Sequence, residues 1–110
     1  MVMFNFKLRG KIFSIDVSEC RNFLQKGTGL MFRKKSKPLL FIFNKPVSEA
    51  IHSFFCVDFI GIWLNRGRVV EVQYVKPWRF FIKPVEKFDR LLEIPFNNKN
   101  FNGIKLLIQK

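Results

Sequence analysis

The single histidine, His52, stands four residues before Cys56, and Asp58 follows two residues later. An imidazole beside a thiol, with a carboxylate to orient it, is the constellation of a cysteine nucleophile. The spacing argues against that chemistry. In an extended strand the two side chains share a face but lie about 13 Å apart, far outside hydrogen-bond reach. Only a bulge or tight bend at residues 53–56 would bring them together. The ordinary reading is a buried thiol and a lone structural histidine. Cys20, Cys56 and His52 show no CxxC or HxxxH spacing, so no metal is expected. Gly27-Thr28-Gly29 lacks the third glycine and the Lys-Ser/Thr of a phosphate-cradling loop, and reads as a helix C-cap with close backbone packing. Glu86 and Asp89 bracket Lys87 and read as surface charges rather than an acid–base pair. No catalytic residue, metal or cofactor is assigned, and the reading leans against an enzyme.

Charge is the second chemical signal. Twenty Lys and Arg against eight Asp and Glu leave a net charge of +12. The run Arg33-Lys34-Lys35-Ser36-Lys37 is the densest cluster, Arg66 and Arg68 flank one turn, and Lys76, Arg79 and Lys83 surround Trp78 and Phe80. Clustered cations release counterions from a phosphate backbone, and cations interleaved with aromatics track and stack a single strand. The nucleic-acid-binding candidates are therefore Arg33, Lys34, Lys35, Lys37, Arg66, Arg68, Lys76, Trp78 and Arg79. Two observations weigh against them. Fifteen Phe in a β domain are mostly core. The abundance of Phe, Ile, Lys and Asn beside one Ala and one Thr is what AT-rich codons supply, so part of the lysine excess reads as compositional bias. The partner expected is nucleic acid or another anionic molecule, with no membrane. Cations gathered on one face would favour nucleic acid; cations spread evenly would favour a different kind of binding module.

The chain of 110 residues suits a single domain over residues 1–110. Hydrophobic residues make up 48%, which excludes a disordered polar chain. No apolar run approaches the ~18 residues of a transmembrane helix, and residues 1–7 lack the basic and apolar regions of a signal peptide. The expected location is the cytoplasm, with both cysteines reduced and buried.

The elements that must position these residues are mostly strands. Phe4, Phe6 and Leu8 alternate with polar neighbours, and residues 11–17 alternate again beyond Gly10, which predicts a hairpin. Ser18 reads as an N-cap for a helix over residues 19–26, ended by Gly27. Residues 39–43 are apolar without alternation, so both faces should be covered. Asn44-Lys45-Pro46 is read as a turn. Residues 51–55 and 59–64 are further strands, Asn65-Arg66-Gly67 is a hairpin turn, and residues 68–75 are a strand broken by Lys76-Pro77-Trp78. Residues 80–82 read as a short edge strand, and residues 90–94 and 104–108 as the last two, separated by a polar loop at residues 97–100. The fold class expected is mainly β: a compact antiparallel sheet or partly closed barrel of about eight short strands with one or two short helices.

Gly29-Leu30-Met31-Phe32-Arg33 resembles the signature of the domain of unknown function 192 family, in which a short helix leads through this motif into an apolar strand. Ile51-His52-Ser53-Phe54-Phe55-Cys56 with Ile60-Gly61-Ile62-Trp63-Leu64-Asn65 resembles the family's second block in its archaeal form. Lys76-Pro77-Trp78 and Leu91-Leu92-Glu93-Ile94-Pro95 fall where archaeal members carry similar segments. The chain departs from the family where Asp58-Phe59-Ile60-Gly61 replaces a Pro-Leu-Asp or Pro-Ile-Asp. The resemblance implies a fold of short strands around one or two helices and no mechanism. It marks Gly29, Leu30, Met31, Arg33 and Glu93 as structural motif residues. Glu93 sits in an apolar segment where a bare carboxylate is costly to bury, and the fork of Arg33 is its expected partner. Together these features describe a small non-catalytic binding or accessory module, with a basic nucleic-acid-binding protein as the alternative.

Overall fold

The computed structural model describes residues 2–21, 37–50, 58–78 and 82–109. Six strands and one helix occupy them: β1 (Val2–Leu8), β2 (Lys11–Cys20), β3 (Leu39–Val47), β4 (Phe59–Asn65), β5 (Arg68–Val75), β6 (Phe88–Pro95) and α1 (Phe101–Ile108). The strands form one sheet in the order β1-β2-β3-β6-β4-β5. All neighbours run antiparallel except β2 and β3. The two edge strands, β1 and β5, come into contact, so the sheet curls into a nearly closed barrel.

Two hairpins set this register by the same device. Arg9 and Gly10 join β1 to β2 with φ of 50° and 83°, and Arg66 and Gly67 join β4 to β5 with φ of 52° and 80°. Positive φ at both central residues is the tight-turn geometry that matches strand twist. The alternation beyond each turn then decides which side chains point inward. Phe6, Leu8, Ile15, Val17, Leu40, Ile42, Ile60, Ile62, Leu64, Leu92 and Ile94 fill the barrel interior, which α1 closes with Phe101 and Ile104. The Arg9 guanidinium donates to the Leu107 carbonyl, placing a cation at the negative end of that helix.

A second core lies on the opposite face of the central strands. Leu39 and Phe41 from β3, Phe59 and Trp63 from β4, and Leu91 from β6 meet there with Cys20, Val75, Ile82 and Phe88. The unalternating apolar run of β3 is thereby explained, since its odd and even residues serve different cores.

Four sequence expectations are corrected. Ser18 does not cap a helix: β2 continues to Cys20, with Ser18, Glu19 and Cys20 paired to Leu39, Leu40 and Phe41, and the Ser18 N–H donates to the Pro38 carbonyl at 2.9 Å. The rest of the expected helix lies outside the described residues. Asn44-Lys45-Pro46 does not end β3, which absorbs them in a register shift between Ile42 and Val47. Residues 104–108 are helical, because Phe101, Ile104 and Ile108 recur at spacings of three and four and pack on the barrel core. The strands number six among the described residues rather than about eight. Residues 51–57 and 79–81 lie outside them, and Ile82 makes an isolated bridge.

Candidate functional site

Glu93 is the one charged side chain buried among the described residues, at 5% exposure. Register places it between Leu39 of β3 and Gly61 of β4, on the face of the second core. Burial pushes its carboxyl up to about 8, so the group is largely protonated at neutral pH. Arg33, its expected partner, lies outside the described residues, and no donor or cation among the described residues pairs with Glu93.

Trp63 stands two residues beyond Gly61 on the same face and is fully buried. Its six-membered ring lies over Gly61: a Cβ there would sit 2.9 Å from Cη2. The ring packs edge-on against Phe88 with centroids 6.5 Å apart, and its buried Nε1–H has no hydrogen-bond partner among the described residues. Gly61 is thus a close-approach glycine, a role that an isolated Gly within a strand pattern signals in sequence. Relief of glycine's entropy cost would gain a Gly61→Ala variant roughly 0.5–1 kcal/mol. Overpacking against a fully buried indole outweighs it, and the expected net loss is about 1–3 kcal/mol, read as a lower denaturation midpoint. An unchanged midpoint would show that the indole yields freely.

Among the described residues, the cationic candidates fall at both ends of the sheet. Arg66 and Arg68 occupy the β4–β5 turn, where the Arg66 backbone N–H donates to Asp89 Oδ2 at 3.3 Å. Lys76 and Trp78 follow the other end of β5, an eight-residue strand about 25 Å long. Lys37 precedes β3, whose register sets it level with Pro95, at the end of the sheet where Lys76 and Trp78 follow β5, and Asp16 lies 3.2 Å from its Nζ. Arg33, Lys34, Lys35 and Arg79 lie outside the described residues, as do Gly29, Leu30, Met31, His52 and Cys56. Cys20 is buried in the second core. No group of three or more His, Cys, Asp or Glu among the described residues is arranged to hold a metal.

One rim of the barrel does gather aromatics and cations. Val75, Phe59 and Pro95 are successive cross-strand partners, so β5 and β6 leave the sheet on either side of the start of β4. Their chains are two strand spacings, about 10 Å, apart. Asp58 stands between them, accepting a 2.6 Å hydrogen bond from the Tyr74 hydroxyl and, through its carbonyl, one from the Phe96 N–H at 2.9 Å. The carboxylate's hydrogen bond, then burial and its charge, raise the Tyr74 phenol above its ordinary value. Beyond this tie, Trp78 is 57% exposed and Phe96 50% exposed. Lys76 and Lys99, two and three residues away in sequence, are also exposed, and Lys105 Nζ lies 5.0 Å over the Tyr74 ring. Trp78 adopts a φ of 65° directly after Pro77. A bulky residue in the left-handed region is strained, and such strain concentrates at functional sites. Phe96 was missed in the sequence, because only the pairing of β4 with both β5 and β6 puts it at the same rim as Lys76 and Trp78.

No protein-family model matches the chain. A UPF0127 protein of Pyrococcus furiosus is 35% identical over 78 residues, spanning 67% of this chain and 67% of the relative. The chain belongs to the UPF0127 family. A UPF0127 protein of Pyrococcus horikoshii is 38% identical over 65 residues, 56% of each chain. UPF0127 is an uncharacterised family, which agrees with the coarser part of the resemblance read from the motifs. Two solved structures share the fold of this UPF0127 chain. A protein of unknown function from Novosphingobium aromaticivorans superposes with a TM-score of 0.76 at 17% identity, covering 87% of this chain and 74% of that one. A candidate transcription regulator from Sinorhizobium meliloti has a TM-score of 0.76 at 16% identity, covering 94% and 81%. No helix among the described residues is long and apolar enough to cross a membrane.

Proposed function

We propose that this protein is a non-catalytic binding or accessory module of the cytoplasm that engages an anionic partner through the rim where β5 and β6 leave the sheet. The exposed, conformationally strained Trp78, two residues beyond Lys76 at the rim that β6 also leaves towards Phe96 and Lys99, is the observation that carries this reading. A net charge of +12 supplies the long-range attraction. The placement of Glu93 supports a non-catalytic role, since the most perturbed carboxyl described is buried in a core rather than open to a substrate.

Heparin, a polyanion without bases, is the probe for charge recognition. The double variant Lys76→Gln/Lys99→Gln is expected to elute from immobilised heparin at clearly lower salt than the parent. Arg66→Gln/Arg68→Gln, which removes equal charge from the opposite end of β5, is expected to elute close to the parent. Equal shifts in both variants would mean that net charge alone governs binding, and the rim would lose its role.

A further inference from the structure

We infer that the occupant of this rim is single-stranded nucleic acid, with bases stacked on Trp78 and Phe96 and phosphates met by Lys76 and Lys99. The inference rests on the anionic-partner reading above and adds the partner's class. A partner recognised by charge alone has no use for two large aromatic side chains at half exposure. Here they follow strands that end at the same rim, two strand spacings apart with β4 between them, each within three residues of a lysine. The backbone of Trp78 adds a second argument. A φ of 65° is unfavourable for tryptophan, and the preceding Pro77 narrows the alternatives. The turn therefore holds the Trp78 backbone in a costly conformation that leaves its side chain exposed, as a stacking platform requires. Bases within a duplex are already stacked on one another and present only their edges. Unpaired bases offer faces, and aromatic stacking with a cationic track is how single strands are held without sequence readout. The arrangement takes either sugar, so RNA and DNA are separate arms of the test.

The two tryptophans make the experiment specific. Trp63 is fully buried and Trp78 is 57% exposed, so quenching by an added oligonucleotide reports on Trp78. The protein is titrated at low salt with oligo(U), oligo(dT), a DNA duplex and heparin at matched charge. Single strands should quench the emission and bind more tightly than the duplex or heparin. Trp78→Leu should weaken single-strand binding roughly ten- to hundredfold, the usual worth of one stacked base, and leave heparin binding unchanged. Trp78→Gly does the same while relieving the backbone strain, so folding is preserved in at least one variant. Phe96→Ser should weaken single strands in the same direction. If the Lys76 and Lys99 variant loses heparin but single strands show no preference and no quenching, this inference is overturned and the anionic-partner reading stands. If the variant keeps its heparin binding, both fall. A preference for oligo(U) or for oligo(dT) would each support the inference and identify the sugar.

Discussion

Phe41→Ala is expected to cost about 3–5 kcal/mol of stability, in the range of other core phenylalanine truncations. Phe41 is 3% exposed in the first half of β3, paired to Cys20 of β2 and Leu91 of β6. All three side chains belong to the second core, with Phe59 and Trp63. The cost has two parts. The lost phenyl group forfeits its transfer free energy, and the cavity left behind lies in the second core on the face of a sheet whose ladders hold the backbone in place, so it closes only in part. The parallel β2–β3 pairing is the shortest ladder in the sheet, with three paired residues, and Phe41 closes it. A loosened Phe41 site therefore weakens the one joint between the β1–β2 hairpin and the rest of the sheet on that side. Guanidinium denaturation with an unchanged slope and a lower midpoint is the expected readout. A loss below about 1 kcal/mol would mean that Phe41 contributes little packing.

Local chemistry made part of this fold legible. Arg66-Gly67 between two apolar strands announced a hairpin, and the doubly apolar run of β3 announced a strand covered on both sides. The failures have physical causes. Ser18-Glu19 has the composition of a helix start, but strand pairing with Leu39 and Leu40 satisfies the same backbone groups and wins. Ile104-Lys105-Leu106-Leu107-Ile108 is as short and apolar as a strand, and Gly103 is a poor helix residue, so the helical spacing of Phe101, Ile104 and Ile108 was hidden. Nothing local reveals that β6 lies between β3 and β4, since that order is a property of long-range pairing. The candidate site divides along the same line. Glu93 was legible because a carboxylate in an apolar run is costly wherever it lies. The rim was half legible: Lys76 and Trp78 are near in sequence, while Phe96 and Lys99 share that end of the sheet only through the register of β4 with both neighbours.

Glu93→Gln tests how that carboxyl is accommodated. Its value rises from about 4.5 in the unfolded chain to about 8 in the fold, with burial as the cause. The folded protein therefore holds a proton that the unfolded chain has released across that interval. Stability then falls as pH rises, because the native state binds more protons than the unfolded state. The contribution is fully present below pH 4.5 and is lost progressively as pH climbs through 8. At one pKa unit per 1.36 kcal/mol, the loss is on the order of 3–5 kcal/mol. Glutamine has the shape of the protonated acid and cannot ionise. The variant and parent are thus expected to match near pH 4.5, and the variant should become the more stable by a few kcal/mol near pH 8. Urea denaturation of both proteins at a series of pH values reads this directly, since every other titrating group cancels in the difference. The rival arrangement, a guanidinium such as that of Arg33 against the carboxylate, predicts the opposite sign. Breaking a buried ion pair costs about 3–5 kcal/mol, so the parent would be the more stable at pH 8 and the variant would never overtake it.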